Sequence, residues 1–461
     1  MTDQASSKLG LLPLTALVVG GIVGSGIFSL PQNMAEGAGA GAILIAWVIT
    51  FVGMLALAKV FQWLSLNRTD IGDGVYGYAR AGFGDYLGFS AAWGYWISAW
   101  VGSTGYLVVI FSALGAFGAL AFFGDGTTPA ALAGQLAVLG LMHYLVLRGV
   151  KSAAFLNVVV TTAKMVPLVL FILCVAMAFR VDTFRVDFWG SAALGSLTDQ
   201  IKNTMLYTVW VFLGIECATV YATRARSLVD VSRATMLGFT ITMLLLVCVS
   251  VLSLGVVPRS ELAEMRNPSM AGLMVRLMGS WGEIVIAAGL IVSVCGAYLS
   301  WTIMAAEVPF LAATHKAFPR LFARQNSNNA PSASLWLTNI SVQVSLVLIW
   351  LTGSDYGTLL TIASEMILVP YLLVGAFLLK IATRPLHKAV AIGACIYGIW
   401  LLYASGPVHL LLSVVLYAPG LLVFLYARRT HQHDRSLKRR EVALIGLLLV
   451  AAVPATWMLV G

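Results

Sequence analysis

The hydrophobic pattern of the chain is a series of long apolar segments separated by short polar ones. Many of these segments hold about 20 apolar residues, which is enough for a helix that crosses a lipid bilayer. Thirteen spans are predicted, and the connections between them are too short for a separate soluble domain. The spans cover residues 10–34, 41–64, 87–113, 130–147, 153–179, 202–223, 234–256, 282–312, 333–352, 357–381, 388–405, 407–427 and 441–460.

Composition and charge placement agree with a membrane protein. Hydrophobic residues make up 60% of the 461 residues and charged residues only 10%, whereas a soluble domain carries about 25% charged residues. With the N-terminus in the cytoplasm, 20 of the 28 Lys and Arg residues fall on predicted cytoplasmic segments and 6 on the opposite side. This positive-inside pattern predicts a multi-pass protein of the cytoplasmic (inner) membrane with a cytoplasmic N-terminus. The first residues are polar and hold no Lys or Arg before Lys8, so no cleavable signal peptide is expected.

Four glycines and a serine interrupt the first predicted span within residues 20–26. Glycine weakens helical hydrogen bonding, and unpaired backbone groups cannot face lipid. Secondary transporters use such a broken helix to bind a ligand near the bilayer centre. Close helix packing through small residues is the alternative interpretation.

A second interruption lies in the sixth span, where Gly214 and Glu216 fall near the predicted bilayer centre. A buried ionisable group at that depth indicates function, with a fixed ion pair to a neighbouring base as the alternative. The two interrupted spans begin two five-span halves, at about 10–179 and 202–381, with opposite orientations and extra helices at about 388–460. The pattern predicts one polytopic domain, residues 1–461, with inverted repeats around a midplane site.

Several stretches, in order over about residues 10–430, are similar to the basic amino acid/polyamine antiporters of the amino acid–polyamine–organocation (APC) superfamily. The presence of a thirteenth span and the sequence of residues 28–34 most resemble the arginine/ornithine branch. The resemblance implies an all-α membrane protein of leucine-transporter type, with a five-plus-five inverted repeat and broken helices 1 and 6. The stretches are 15–20, 28–31, 74–80, 94–100, 163–167, 214–216, 300–302, 318–319 and 369–371.

The same resemblance implies sodium-independent exchange of cationic amino acids, most closely arginine for ornithine, by alternating access. A proton-coupled importer or exchanger of lysine, agmatine or a polyamine is the alternative within this class. Family members of the arginine/agmatine type form homodimers, so a homodimer is an expectation here as well. A membrane enzyme or channel is disfavoured, because no nucleophile–base pairing, metal motif or repeated pore ring is evident.

The break in the first span matches the carboxylate-binding positions of the family at Ser25 and Gly26. Exposed amides at the start of a half-helix add hydrogen bonds to the positive end of a helix dipole, which suits the carboxylate of an amino acid. The substrate amino group is expected at backbone carbonyls around Ile22 and Val23, and near Trp210 and Leu213.

Aromatic side chains are expected on either side of the substrate side chain. Trp210 and Trp301 resemble the family's aromatic walls, where a desolvated cation gains about 1–2 kcal/mol over an indole face. Ordinary packing is the alternative, since the chain holds 13 tryptophans. Ser103 and Tyr106 occupy places where relatives put polar or flexible contacts to the substrate.

Four ionisable side chains complete the predicted site. Glu216 resembles the family's gating carboxylate, and Lys164 a lysine that takes the place of sodium and tethers span one to span five; the alternative for Lys164 is an interfacial lysine that snorkels. Glu365 stands where a small hydroxyl residue is expected and is predicted to read the distal charge of the substrate. Glu307 is predicted at a cytoplasmic gate, or else paired with Lys316 or Arg320.

The remaining signals exclude cofactors and metals. The five cysteines and six histidines show no metal-ligand spacing, so no metal, no cofactor and no nucleic acid partner are expected. His143 is interpreted as a satisfied core histidine. Cys217 stands where relatives usually have glycine, and its added bulk is expected to narrow the pocket, so the sequence predicts the cationic class of substrate and leaves the exact compound open. The expected partners are therefore small cationic amino acids or amines and the lipid bilayer.

Overall fold

The computed structural model describes residues 10–71, 74–148, 153–216, 225–354, 356–431 and 437–460. Regular secondary structure in these ranges is helical, with short 3₁₀ turns at Gly118–Phe123, Ala192–Leu194 and Arg320–Ala323. The α-helices in chain order are α1 (Leu11–Ile22), α2 (Gly26–Gly37), α3 (Ala40–Asn67), α4 (Gly74–Phe83), α5 (Asp85–Leu114), α6 (Pro129–Leu147), α7 (Ala153–Met177), α8 (Val181–Arg185), α9 (Leu197–Trp210), α10 (Leu228–Ser253), α11 (Arg259–Ala263), α12 (Ser269–Met278), α13 (Ser280–Thr314), α14 (Ser332–Thr352), α15 (Tyr356–Ile381), α16 (Pro385–Thr430) and α17 (Arg439–Val460).

The number of membrane-spanning helices is best read from length and apolarity. In the described ranges nine helices are long and apolar enough to cross a bilayer, and α1 with α2 makes ten when the bent pair is taken as one span. The predicted eleventh and twelfth spans both lie in α16, whose path breaks at Gly406 with φ 79° and ψ 170°. An all-helical membrane protein with a broken first helix is confirmed, and the count of thirteen stays a prediction.

Helix α5 forms the centre of the bundle. The apolar window of α5 is 89% buried, whereas that of α16 is 17% buried. A helix that is apolar on all sides is found in the core of a large protein or in a membrane. Helix α5 fits this description and packs against α13 and α15. Side chains on α5 are therefore held in place from several sides.

Polar side chains connect the helices inside the apolar core. The Trp47 indole on α3 donates to Ser250 on α10 over 2.8 Å, and the Trp96 indole on α5 donates to Thr338 on α14 over 3.0 Å. Interhelical hydrogen bonds in membranes contribute about 0.6 kcal/mol each on average. They add little stability singly, but they fix the rotation of the helices that carry the site.

Candidate functional site

The candidate site is built around the break between α1 and α2. The axes of the two half-helices differ in direction by 45°. The Val23 amide still donates to the Val19 carbonyl, which closes the last turn of α1. The Ser25 side chain, by contrast, makes no capping hydrogen bond to the first amides of α2. The start of α2 therefore keeps the amides and the positive dipole end that attract an anion.

Lys164 on α7 fixes the end of α1. Its side chain is 1% exposed, and Nζ donates to the Gly20 carbonyl over 2.8 Å and to the Val23 carbonyl over 2.5 Å. A buried ammonium with two carbonyl acceptors does not snorkel to the interface. The Val23 carbonyl, expected to meet a substrate amino group, is thus engaged by Lys164, and the Ile22 carbonyl accepts from the Gly24 amide over 3.0 Å.

The indole of Trp210 lies directly over the start of α2. A Cβ added at Gly26 would stand 2.6 Å from Trp210 Cδ1 and Nε1, and one added at Gly102 would stand 2.9 Å from Trp210 Cη2. Both distances are much shorter than the van der Waals contact distance of about 3.5–4.0 Å between carbon atoms. Only glycine at these two positions lets the ring fit between α2 and α5.

Two tyrosines complete this first cluster. The Ser25 hydroxyl and the Tyr356 hydroxyl are 2.6 Å apart and both residues are buried. The Tyr106 ring centroid lies 5.9 Å from that of Trp210, and its hydroxyl faces Gly24 at 2.7 Å from the position of an added Cβ. The sequence analysis missed Tyr356, for which the only signal was a tyrosine at the beginning of a predicted span.

Two further predicted contacts engage their own backbone. Ser103 is buried and donates to the Ala99 carbonyl over 2.8 Å, within α5. Leu213 follows the end of α9, and its amide donates to the Trp210 carbonyl over 3.2 Å. The structure brings Leu213 into the turn that breaks α9, whereas the Ser103 hydroxyl already has an acceptor.

The break after α9 meets the end of α1 at Gly214. This glycine has φ +103°, a conformation that L side chains rarely adopt, and an added Cβ would stand 2.7 Å from the Gly21 carbonyl oxygen. The two interrupted segments therefore touch backbone to backbone. Residues 217–224, which include the end of the sixth predicted span (202–223), lie outside the described residues, and so does the expectation attached to Cys217.

Glu216 accepts hydrogen bonds from two tyrosines on different helices. The Tyr95 hydroxyl on α5 donates to Oε1 over 2.6 Å, and the Tyr371 hydroxyl on α15 donates to Oε2 over 2.7 Å. Hydrogen bonds to a charged group contribute about 1.5–3 kcal/mol each. Neither tyrosine was singled out from the sequence, although each lies in a stretch that resembles the antiporter family.

Trp301 packs in this second cluster, away from Trp210. Its ring stacks on Tyr95 with centroids 6.3 Å apart and an interplanar angle of 26°. Trp210 contacts α5 at Gly102 and Trp301 contacts it at Tyr95, a separation of about 10 Å along the axis at 1.5 Å per residue. The two predicted aromatic walls thus lie at two levels of one central helix.

The other two predicted carboxylates have surroundings of their own. Glu365 on α15 is 2% exposed, and its Oε2 lies 3.8 Å from Nδ1 of His409 on α16. Glu307 on α13 is half-buried, and the described part of the chain shows no ion pair between it and Lys316 or Arg320. Neither carboxylate is brought into contact with Trp210.

Metal-binding side chains do not converge in the described ranges. Among those residues no group of three or more His, Cys, Asp or Glu side chains could hold a metal ion. Cys174, Cys248, Cys295 and Cys395 carry no disulfide. His143 is buried, and its Nδ1 lies 2.5 Å from the Asn339 amide nitrogen. Its Nε2 is buried without a hydrogen-bond partner among the described residues, so only one of the two ring nitrogens of this core histidine is satisfied.

Comparisons with known proteins add to this geometry. The family model described as "Amino acid permease" matches residues 9–448. A protein of Escherichia coli (strain K12), provisionally named an arginine/ornithine antiporter, is 64% identical over 98% of this chain and 99% of its own. The "Arginine/ornithine antiporter" of Pseudomonas aeruginosa is 49% identical over 93% and 92%. The "Arginine/agmatine antiporter" of Chlamydia caviae is 38% identical over 99% and 97%.

Proposed function

This chain belongs to the amino acid permease family, and from that membership we propose that it exchanges cationic amino acids, arginine for ornithine, by alternating access. It acts as a transporter and not as an enzyme. The substrate pair follows the names of the relatives at 64% and 49% identity, which align with nearly the whole chain. A relative named for arginine and agmatine is less similar, at 38% identity.

The observation that carries the proposal is the uncapped start of α2 under the Trp210 indole. The amides at Ser25 and Gly26 bind the substrate carboxylate, because a helix N-terminus combines donors with a positive dipole end. Transport requires Trp210 to move, since its ring now fills the space above Gly26. We assign this movement to the opening and closing of the site, by analogy with the loops and domains that close over a bound substrate in enzymes.

The substrate side chain extends along α5 from Trp210 towards Trp301. The two rings contact α5 about 10 Å apart, a distance that suits a long side chain with a terminal charge. A cation that has lost its water gains about 2 kcal/mol over an indole face. Ser103 and Tyr106 lie on α5 beside this path, and we assign them contacts to the substrate backbone or stem.

The second cluster supports a gate below the substrate. Glu216 ties α5 to α15 through Tyr95 and Tyr371, so any separation of these helices breaks hydrogen bonds to a carboxylate. Lys164 supplies a covalently attached hydrogen-bond donor to the Gly20 and Val23 carbonyls, which supports transport without sodium. Glu307 is assigned to the cytoplasmic gate on its position in α13.

The proposed architecture is a five-plus-five inverted repeat. The support is the pair of interruptions, one between α1 and α2 and one after α9, that meet at Gly21 and Gly214. We further propose a homodimer in the inner membrane with a cytoplasmic N-terminus, on the family resemblance and on the positive-inside charge pattern.

The test is uptake of labelled arginine into proteoliposomes loaded with one compound each. Ornithine or arginine inside should drive rapid uptake, citrulline inside should not, and empty vesicles should take up almost nothing. Gly26→Leu serves as the matched inactive control, because a large side chain there blocks the amides. Uptake into empty vesicles driven by a pH gradient would instead support the proton-coupled importer, and stimulation by agmatine alone would change the substrate pair.

A further inference from the structure

One buried carboxylic acid, Glu365, has no assigned role in the proposed transport site. Glu365 lies near the middle of α15 with 2% of its surface exposed. Within the described residues both of its carboxyl oxygens are buried without a hydrogen-bond partner, and so is Nδ1 of His409. The separation of Oε2 and Nδ1 is 3.8 Å, which is longer than a hydrogen bond.

An unpartnered carboxylate is expensive in this environment. Burial of an ion costs several kcal/mol unless it is paired and hydrogen-bonded. The cost falls when Glu365 carries a proton, or when His409 carries one and forms an ion pair with it. Both low-cost forms hold one proton between the two side chains, and the form without that proton leaves a bare charge inside the bundle.

Ionisable groups on the helices packed against α15 have partners of their own or point elsewhere. On α5, Tyr95 donates to Glu216, and on α4, Arg80 pairs with Asp85 at 3.0 Å. On α9, Lys202 pairs with Asp199 at 3.3 Å, and on α3, Lys59 is exposed. The remaining aromatic hydroxyls of α4 and α5 belong to Tyr76, Tyr78, Tyr86 and Tyr106.

On α16 itself two hydroxyls accompany His409. The Tyr417 hydroxyl lies 3.4 Å from the Met366 carbonyl and donates to it. The Ser413 hydroxyl lies near the carboxyl of Glu365 but does not have the geometry of a hydrogen bond to it. Neither hydroxyl is a cation. Within the described residues His409 is therefore the basic group that faces Glu365, and the pair stands apart from other charges.

We propose that Glu365 and His409 form a proton-binding site between α15 and α16, separate from the substrate site, and that its occupancy controls the transport rate. The route to the substrate is α15 itself. This helix supplies Tyr356 to Ser25, nine residues before Glu365, and Tyr371 to Glu216, six residues after it. A change of charge at Glu365 therefore acts on the helix that holds both clusters.

The first test measures the proton directly. Infrared spectra of the purified protein, recorded over a pH series, should show the bound proton either as the carbonyl band of a protonated carboxyl or as the ring bands of an imidazolium, and this signal should disappear with rising pH. Glu365→Gln should remove this titration, His409→Gln should move its midpoint, and the control Glu264→Gln, an exposed carboxylate, should leave it unchanged. A titration that is the same in Glu365→Gln and the wild type would overturn the proposal.

The second test measures exchange at equal pH on both sides of the vesicle. Wild-type rates should depend on pH, and Glu365→Gln should flatten that dependence while changing KM for arginine by less than about twofold. His409→Gln keeps the carboxylate and should shift the profile, whereas His387→Gln, at the beginning of α16, should not. Gel filtration confirms that each variant is folded.

The opposite result would assign Glu365 to the substrate. If Glu365→Gln raises KM for arginine and ornithine by about tenfold and leaves competition by citrulline unchanged, the carboxylate reads the distal charge and no separate proton site exists. The infrared titration does not require transport. It therefore decides the proton site even if wild-type vesicles fail to exchange arginine, a failure that would refute only the proposed function.

Discussion

Replacement of Gly26 by alanine is the sharpest test of the site. Gly26 does not have a positive φ, so its backbone accepts alanine without strain. The added methyl would, however, stand 2.6 Å from Trp210 Cδ1 and Nε1 and 2.9 Å from Val211 Cγ1. Carbon atoms prefer separations of about 3.5–4.0 Å, so the indole must move by about 1 Å.

The size of the effect follows from overpacking. One extra methyl in a packed site costs about 1–3 kcal/mol. Since each 1.4 kcal/mol is a factor of ten, kcat/KM for arginine exchange should fall by roughly fivefold to 150-fold. Leucine at the same position should abolish exchange, because its side chain also covers the amides at the start of α2.

The assay is the initial rate of arginine exchange in proteoliposomes over a range of substrate concentrations. Gly140→Ala is the matched control, because Gly140 lies on α6 with nothing within 4 Å of an added Cβ. Its rate should match the wild type. Equal rates for Gly26→Ala and Gly140→Ala would refute the placement of the carboxylate under Trp210.

A double mutant separates steric conflict from simple loss of a glycine. Trp210→Phe removes the ring atoms that the new methyl would strike. If the conflict is the cause, Gly26→Ala combined with Trp210→Phe should lose less activity than the two single losses together. Strict additivity would mean that the methyl acts through something other than the indole.

Three other changes test the rest of the site. Lys164→Met leaves the Gly20 and Val23 carbonyls without their donor, at a cost of about 1–3 kcal/mol each, and should slow exchange at least about tenfold. Wild-type exchange should survive replacement of sodium by choline. Dependence of the wild type on sodium would contradict the role of Lys164 as a tether. Glu216→Gln weakens two hydrogen bonds by about 1 kcal/mol each and should lower turnover more than affinity. An unchanged rate with lost binding would instead mean that Glu216 only binds the substrate. Tyr356→Phe removes the partner of the buried Ser25 hydroxyl and should raise KM for arginine by about fivefold; an unchanged KM excludes Tyr356 from the carboxylate site.

Local sequence was enough to predict the interruptions of the helices. The glycines around Gly24 break the first span because glycine has a low helix propensity. In α16, Gly406 precedes Pro407 and separates the two halves of the helix. Gly214 was likewise a visible weakness in the sixth span. These features depend on the conformational preferences of single residues, which follow from the amino-acid type alone.

Contacts between distant residues were not predictable in the same way. Ser25 and Tyr356 are 331 positions apart, and only the packing of α15 against the broken helix brings their hydroxyls together. For Glu365, the sequence places the residue inside the tenth predicted span (357–381), but it does not give the direction in which the side chain points. Each residue turns a helix by about 100°, so the neighbouring helices decide whether a side chain faces the substrate or α16.

The ammonium of Lys164, held between two carbonyls of α1, also limits what can power the cycle. The side-chain amine of Lys164 is covalently part of α7 and never leaves with the cargo, so this tether consumes no sodium gradient. Arginine and ornithine each carry one positive charge, and a one-for-one swap moves no net charge across the membrane. The membrane potential, about 2.3 kcal/mol per elementary charge at 100 mV, then has nothing to act on. If the proposed exchange is one-for-one, its direction is set by the two concentration ratios alone, and it should persist in a cell whose membrane is de-energised.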